Sequence, residues 1–470
     1  MNARAWLPML LAGVALSSCI GTLEPGGQVV LYVDTDAPLP SSAPGAPTGD
    51  RTRLSPLVDR ARFEVLAGGV LLPGSSRDVS LDDGLLREQR LSFGIVPSPS
   101  DPTITVRVRL FRADRIFSSD LPTGVTLDTI VTLPPISGDG ITELSVVLHT
   151  DDFGKTIGPI PATAGRPAAS EVGTWRGGHH VACSAPPGAG EACVPGGSFM
   201  FGDPASRGRS PSDVFDERLV WVSAFYLDKT EVTVGAYRSA PAGGSVPMAN
   251  GADESKESFF CTWTPTPHAT IKGVTDNDKL PLNCVSWETA RAVCLARGAD
   301  LPTEAQIEYV SSGLGEEWAY AWGNDEPDCK DAVWGRAGER GTTYTAGSNA
   351  CRTSSTAWVA FPGSGTRDRF NLTADADLDV VDLAGNLSEW ALDAWSRQSE
   401  PFWSSSLPMI DPVASFSSAF DKEGHTIRGG TWPRTVLNTR AAYRAVRRQG
   451  EAAATIGFRC ARPANPGATR

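Results

Sequence analysis

The clustering of cysteines constrains the fold of this chain more than any other feature of its sequence. The chain has nine cysteines, and all of them except Cys19 lie after residue 182. The eight cysteines after residue 182 are an even number, which in an exported chain favours disulfides. Disulfides restrict the conformations of the unfolded state. We therefore expect a cross-linked domain after residue 182, and such cross-links suit a fold that is rich in loops.

The N-terminus resembles the export signal of a bacterial lipoprotein. Arg4 precedes an apolar run from Ala5 to Leu16, which is too short to span a bilayer. Small residues come directly before Cys19, as in a lipobox, so cleavage would leave Cys19 as a lipidated N-terminus. Several acyl chains anchor a protein firmly to a membrane. The alternative is a plain signal peptide in which the cysteine is incidental.

These features place the protein in a bacterial cell envelope, on the periplasmic side or at the cell surface. The residue after Cys19 is Ile20, not the aspartate that marks retention in the inner membrane, so the outer membrane is favoured. The formal charge is -12, from 42 basic and 54 acidic residues, and it provides no basic face for a phosphate backbone. We therefore expect no nucleic-acid partner.

Composition divides the chain into two modules. Eleven of the 13 tryptophans follow residue 182, whereas residues 20–182 contain only Trp175. Segments 37–49 and 157–170 are rich in Pro, Gly and Ala, and we expect them to stay extended without packing. The predicted boundaries are 1–18 for a lipoprotein signal peptide, 19–156 for a β-sandwich module, 157–187 for a linker and 188–463 for the second domain.

Alternating apolar and polar residues predict strands in the first module. The clearest alternation runs from Thr103 to Phe111, where every second residue is apolar, so one face is buried and the other is wet. The other predicted strands are Gln28 to Val33, Ala61 to Leu66, Leu91 to Val96 and Glu143 to His149. Short strands between Gly, Pro and Asp turns indicate a small β-sandwich, which would act as a spacer or a protein-binding module.

The second module mixes helices with irregular segments, so the fold class of the whole chain is α+β. Ser286 caps a predicted helix that ends at Gly298. Thr303 and Gln306 have the spacing of a capping box, which predicts a second helix from Glu304 to Ser311.

Four short motifs stand out in the second module. In chain order they are Leu301-Pro302-Thr303-Glu304-Ala305, Gly385-Asn386-Leu387-Ser388-Glu389-Trp390, Arg428-Gly429-Gly430-Thr431-Trp432 and Gly457-Phe458-Arg459-Cys460. In order and spacing they resemble the motifs of the formylglycine-generating enzyme (sulfatase-modifying factor) family. The resemblance covers roughly residues 190 to 463. It implies a loop-rich fold related to C-type lectins, following the β-sandwich.

The resemblance also implies a structural disulfide between Cys294 and Cys460. For the other six cysteines, sequence neighbourhood favours three pairs, although six cysteines allow 15 connectivities. These pairs are Cys183 with Cys193, Cys261 with Cys284, and Cys329 with Cys351.

By the same resemblance, Asn386 and Glu389 would bind a structural calcium ion. Calcium is a hard cation that prefers amide, carbonyl and carboxylate oxygens. The alternative is that Asn386 forms a turn and Glu389 a surface ion pair.

The chain departs from the family at the reactive site. The two redox-active cysteines of the family fall at Arg434 and Thr439, and the whole stretch from Pro433 to Tyr443 contains no cysteine. Copper(I) needs soft thiolate ligands, so we expect neither bound copper nor copper-dependent oxidase activity. A three-histidine iron site is not supported either, because no two of the five histidines have helical ligand spacing.

The same segment is rich in arginine and aromatic residues, which predicts a ligand-binding groove. Guanidinium groups beside aromatic rings suit carboxylate, phosphate or sugar ligands. The candidate residues are Thr431, Trp432, Arg434, Arg440, Tyr443 and Arg444, with Arg447 and Arg448 nearby. The alternative is that most of these arginines are solvated or paired with acidic groups.

Together these observations favour a membrane-anchored lipoprotein that recognises an exported protein or a glycan and is not an oxidase. The rival hypothesis is an enzyme that modifies an exported protein or a small molecule through groove residues other than cysteine. A purely structural envelope component is the third possibility.

Overall fold

The N-terminal module is built from short strands and one short helix. The computed structural model describes residues 27–43, 56–96, 104–115, 121, 123–134, 140–202, 217–240, 245–253, 255–337, 348–352, 358–371, 379–397, 400–404, 408–415 and 424–464. The first elements are β1 (Gln28–Thr35), β2 (Arg60–Ala67), β3 (Val70–Leu71), β4 (Arg77–Ser80), α1 (Asp83–Arg87), β5 (Ser92–Ile95), β6 (Ile104–Phe111), β7 (Leu127–Thr132), β8 (Ile141–Leu148), β9 (Thr156–Pro161) and β10 (Thr163–Ala164).

These strands form two sheets that contribute to one hydrophobic cluster. The first sheet has the order β10-β8-β1-β5, and the second has the order β3-β2-β6-β7-β9, with β4 also paired to β2. Leu31 and Val146 from the first sheet belong to the same cluster as Phe63 and Val108 from the second. The predicted strands are present, and in β6 Val106, Val108 and Leu110 are buried as expected, whereas Ile104 at its start is only partly buried.

The expectation that residues 157–170 stay unpacked was wrong. Strand β9 lies within this segment and pairs in parallel with β7, and β10 pairs with β8. Ile160 and Ala162 pack against the hydrophobic cluster. Strand β9 is at the edge of its sheet, where prolines are tolerated because one side of the strand needs no donors. Composition alone missed this pairing because the partner strands are distant in sequence.

The second domain combines short strands, helices and long irregular connections. Its strands are β11 (Glu191–Val194), β12 (Gly197–Phe201), β13 (Arg218–Val222), β14 (Phe225–Asp228), β15 (Arg369–Asn371), β16 (Asp379–Val381), β17 (Ser388–Ala394), β18 (Met409–Ile410), β19 (Gly424–Arg428), β20 (Arg444–Arg448), β21 (Ile456–Gly457) and β22 (Ala461–Pro463). Its helices are α2 (Val234–Ser239), α3 (Trp287–Ala296) and α4 (Glu304–Ser311).

Local sequence signals define the two longer helices. The Ser286 side chain accepts from the backbone N–H of Thr289 at the start of α3. Thr303 and Gln306 form the predicted reciprocal capping box at the start of α4. Over the part of the chain that the structure describes, no helix combines the length and apolar character that a membrane crossing requires.

One sheet brings three of the sequence motifs together. Its order is β20-β19-β17-β21, and Glu389 on β17 lies opposite Arg428 on β19. Strand β21 pairs in parallel with β17, which places the start of the terminal motif beside Glu389. The segment between β19 and β20, residues 429–443, therefore leaves and re-enters the same sheet.

Four disulfides cross-link the second domain. They join Cys183 to Cys193, Cys261 to Cys284, Cys294 to Cys460 and Cys329 to Cys351. The bridge from Cys294 connects α3 to the terminal motif over 166 residues. These are the pairings that the family resemblance and sequence neighbourhood indicate.

Candidate functional site

A buried network of charges holds both ends of segment 429–443. Arg428, at the end of β19, contacts Glu304 and Glu308 of α4. Arg444, at the start of β20, donates from Nη2 to Oε2 of Glu304 over 2.8 Å. All four side chains are buried, and their two positive and two negative charges balance. Close pairing offsets the cost of removing these charges from water, and it attaches the segment firmly to α4.

Three of the predicted groove residues lie in the interior, so the expectation that they line an accessible groove was wrong. Arg444 belongs to the buried network. Thr431 donates through Oγ1 to the backbone oxygen of Thr455 over 3.0 Å. Trp432 stacks on Phe260, with ring centroids 5.3 Å apart. These contacts engage the three side chains inside the domain, where a ligand from solvent cannot reach them.

The remaining predicted residues lie at the surface. Arg434 is exposed, while Arg440 and Tyr443 are half-buried. Of the two flanking arginines, Arg447 is half-buried and lies 3.4 Å from Glu451, and Arg448 is exposed. The accessible part of the predicted groove is therefore smaller than the sequence indicated, and it centres on residues 434–440.

Two aromatic residues from another part of the chain lie beside this surface: Trp322 is half-buried, whereas Tyr320 is only 2% exposed and lies beneath it. The guanidinium of Arg440 lies 5.7 Å from the ring centroid of Tyr320. The Tyr320 ring stacks on Trp322 at 5.2 Å with an interplanar angle of 3°. Arg367 lies over the other ring system, 5.8 Å from Trp322. We call Arg434, Arg440, Trp322 and Arg367 the aromatic-cationic face, which the buried Tyr320 supports from below.

Sequence reasoning missed the aromatic part of this face. Tyr320 and Trp322 lie more than 100 residues before Arg440, and no family motif contains them. Two contacts carry them to the site: the backbone N–H of Ala441 donates to Ala319 over 2.8 Å, and Val436 packs in a cluster with Trp322. The sequence does place these two large aromatic residues two positions apart, and this pattern could have drawn attention to them.

The positions of the family's cysteine pair contain no sulfur. Arg434 is exposed, and Thr439 is buried with its hydroxyl donating to the backbone oxygen of Val436 over 2.7 Å. Each cysteine that the structure describes is in a disulfide. The bridge from Cys329 to Cys351 contributes to the same cluster as Val436. A guanidinium and a methyl-bearing hydroxyl cannot replace two thiolates as ligands of copper(I).

The predicted calcium ligands do not fit a cation in this structure. Both carboxylate oxygens of Glu389 accept from the Arg459 guanidinium, at 2.7 and 2.9 Å from Nε. The amide oxygen of Asn386 accepts from the backbone N–H of Ala360 over 2.9 Å, and its amide nitrogen donates to Glu231 over 2.7 Å. Because a guanidinium already neutralises Glu389, the expected calcium site at these two residues is not supported. The surface ion pair considered as an alternative is instead a buried one.

Further carboxyl groups are buried around Arg459. Glu231, Asp368, Asp382 and Glu389 are each less than a tenth exposed. Burial, together with the neighbouring Asp368 carboxyl group, raises the pKa of Asp382 to about 8. Burial also raises the pKa of Asp368 to about 6 and that of Glu231 well above its usual range. One arginine cannot neutralise four carboxylates, so this cluster holds protons near neutral pH.

One group of possible metal ligands comes together at the surface. In the described part of the chain, His268, Asp276 and Asp278 bring ligand atoms close to one another. The imidazole Nδ1 lies 3.0 Å from Asp276, and Asp278 also accepts from Arg238 over 2.8 Å. Hydrogen bonds and Arg238 therefore account for this group without an ion.

Comparison with known proteins assigns the second domain. The sulfatase-modifying factor enzyme 1-like domain matches residues 181–464, which is more than half of the chain. An inactive C-alpha-formylglycine-generating enzyme 2 from Bos taurus is 26% identical over 301 residues, which cover 57% of this chain and 86% of that protein. A formylglycine-generating enzyme from Streptomyces coelicolor is 24% identical over 316 residues, covering 59% and 90%.

Solved structures with a similar fold include PvdO from Pseudomonas aeruginosa and a variable protein from Treponema denticola. PvdO is 19% identical, with a TM-score of 0.40, over 58% of this chain and 94% of its own. The Treponema denticola variable protein 1 is 16% identical, with a TM-score of 0.39 and the same two coverages.

Proposed function

Because the chain belongs to the sulfatase-modifying factor enzyme 1-like family, we propose that its family domain has a binding function and not an oxidase function. The observation that carries this proposal is the absence of sulfur at Arg434 and Thr439, the positions of the family's reactive cysteines. Two relatives of this chain, from Bos taurus and Mus musculus, are named inactive, which fits a role without this chemistry.

The aromatic-cationic face supplies the binding chemistry. Arginine side chains form paired hydrogen bonds to carboxylates and phosphates, and aromatic rings stack on sugar or apolar surfaces. Arg434 and Arg440 are the cations of this face that come from the segment where the family holds its cysteines. The ligand is therefore an exported protein or a glycan that presents acidic groups beside a flat surface.

The N-terminal half serves as a membrane anchor and a spacer in this proposal. Lipidated Cys19 attaches the protein to the outer membrane, and a β-sandwich carries the family domain away from the attachment point. Two sheets that share one hydrophobic cluster support this arrangement. The signal peptide and Cys19 lie outside the described residues.

A binding measurement with matched charge variants tests the face. We expect R434A/R440A to lose at least tenfold in capture of ligands from an envelope extract on an immobilised-protein sensor. The control is R87A/R90A, which removes two well-exposed arginines from the N-terminal module. Equal binding by both double variants, with unchanged melting temperatures, would show that the face is not a binding site.

An oxidase assay separates the rival enzyme hypothesis. Purified protein is incubated with copper, oxygen and a peptide that contains Cys-x-Pro-x-Arg, and aldehyde formation is followed by mass spectrometry. We expect the peptide to remain a thiol. Turnover to the aldehyde would overturn the proposal and support an enzyme that uses groups other than a cysteine pair at residues 434 and 439.

A further inference from the structure

The exposed large hydrophobic residues of the N-terminal module lie at one end of it. Over its described residues they are Val70, Leu71, Leu72, Val96 and Ile141. Isolated apolar residues on a surface need no explanation, but a cluster at one end of a domain indicates an interaction surface.

The register of the first sheet places two of these residues at the same level, on the two strands that flank β1. Gln28, the first residue of β1, lies opposite Ile141 at the start of β8. The next residue of β1, Val29, lies opposite Ile95 at the end of β5, and Val96 follows directly. Ile141 and Val96 therefore flank the point where the chain enters the module.

The second sheet places the other three residues at the same end. Strands β2 and β3 form a hairpin whose Gly68-Gly69 turn has positive φ at both positions, as a two-residue hairpin turn requires. Ala67, just before the turn, lies opposite Ile104 at the start of β6. The next residue of β6, Thr105, lies opposite Thr132 on β7, which lies opposite Pro161 on β9. These residues form one row across this end of the second sheet. Two residues after Pro161, Thr163 pairs with Ser145 and then Ala164 pairs with Leu144, so the chain passes from this row towards the Ile141 end of β8.

The family domain contacts the opposite end of the module. Thr35 ends β1 there, and beyond it the backbone N–H of Trp175 donates to Asp36 over 3.0 Å. The Trp175 ring meets Trp221 of the family domain edge to face, at 6.5 Å. Arg112, just after β6, pairs with Glu317 of the family domain. The apolar end therefore lies at the end of the module remote from these contacts with the family domain, where β1 begins.

Chain length and charge indicate what covers the apolar end. Gln28 lies nine residues after Cys19 (28 minus 19), a segment that reaches at most about 30 Å when fully extended. The hairpin and its surroundings, residues 65–76, contain no charged residue. Apolar side chains at a loop tip enter the boundary between headgroups and acyl chains, whereas a charged tip would be kept out.

We propose that the tip formed by Val70, Leu71 and Leu72, together with Val96 and Ile141, inserts into the surface of the membrane that carries the Cys19 lipid. This inference rests on the lipid anchor of the proposed function. In this orientation, the apolar end of the module contacts the bilayer, and the family domain lies at the other end of the module, away from the membrane. The anchor then supplies attachment, and the apolar end supplies orientation.

Lipid quenching of a fluorescent probe tests this contact. Lipidated full-length protein is reconstituted into vesicles of phosphatidylethanolamine and phosphatidylglycerol, with and without brominated acyl chains. The nitrobenzoxadiazole probe is attached at V70C, and the matched control is V246C in the family domain. These valines are 70% and 73% exposed, so neither substitution disturbs a core. We expect at least twofold quenching at position 70 and none at position 246.

The outcomes distinguish this inference from the anchor on which it rests. The mass of the N-terminal peptide reports lipidation of Cys19 independently of the probe. A lipidated peptide with an unquenched probe at position 70 would overturn the inference and leave the anchor intact. A probe that is blue-shifted without quenching would show that protein covers the tip, which would also overturn it. An N-terminal peptide without lipid would overturn the anchor itself.

Discussion

Glu389 and Arg459 form a buried ion pair that joins the Gly-Asn motif of β17 to the terminal motif of the chain. Arg459 also donates to the backbone oxygens of Val381 and Asp382, at 2.8 and 3.0 Å. One guanidinium thus connects β17 with the loop that precedes it. In this chain a protein cation therefore holds the motif in place.

Removing this cation should destabilise the protein strongly. We expect R459A to lower the free energy of unfolding by about 3–5 kcal/mol, because breaking a buried pair leaves an unpaired charge in the interior. The exposed pair of Arg166 and Glu143 provides the control, and R166A should lower the stability far less than R459A because water screens this pair. Urea denaturation followed by tryptophan fluorescence measures both. Equal losses would show that the buried pair has no special role.

Calcium removal should leave the stability unchanged. Since the Glu389 oxygens accept from Arg459, EGTA is expected to shift the melting temperature by less than about 1 °C, which for the domain of residues 181–464 corresponds to about 0.6 kcal/mol or less. Differential scanning fluorimetry with EGTA or added calcium makes the measurement. Stoichiometric calcium in the purified protein, together with a melting temperature that falls on chelation, would restore the calcium site that the family resemblance implies.

The buried carboxyl groups predict that stability falls as pH rises from about 4 to about 8. The pKa of Asp382 is raised from 3.8 to about 8, so the folded state keeps a proton that the unfolded state has lost in this range. The unfolded state then binds fewer protons, and the free energy of unfolding decreases with rising pH.

D382N isolates this effect. Asparagine keeps the acceptor for the backbone N–H of Gly363 and tolerates the positive φ of 56° at this position. We expect the variant to be less sensitive to pH between 5 and 8 than the native protein in urea denaturation. The exposed Asp253 provides the control through D253N. An unchanged pH dependence in D382N would assign the effect to other groups.

The longest disulfide loop should contribute most to stability. In the chain-entropy treatment, the bridge from Cys294 to Cys460, which closes a loop of 166 residues, contributes about 5 kcal/mol. The bridge from Cys183 to Cys193, with a separation of 10, contributes about 3 kcal/mol. C294A/C460A should therefore unfold at lower urea concentration than C183A/C193A. The opposite order would show that local packing outweighs loop length.

Local patterns in the sequence determined much of the fold. The alternation in β6 and the caps at Ser286 and Thr303 depend on neighbouring residues, so the strand and both helices could be predicted directly. The family motifs indicated the second domain and the missing cysteines at 434 and 439. The proline-rich segment around β9 was misjudged because its pairing depends on a strand that is distant in the sequence.

The accessible surface of the site was decided only by the tertiary structure. The sequence does not indicate which of the predicted groove residues are accessible to solvent. Trp432 and Arg444 are buried, whereas Arg434 and Arg440 remain at the surface. Glu304 pairs with Arg444 in the interior, while the buried Tyr320 and the half-buried Trp322 lie beside Arg440. Which arginine meets a glutamate and which meets solvent depends on contacts over more than 100 residues, and no local pattern encodes such contacts.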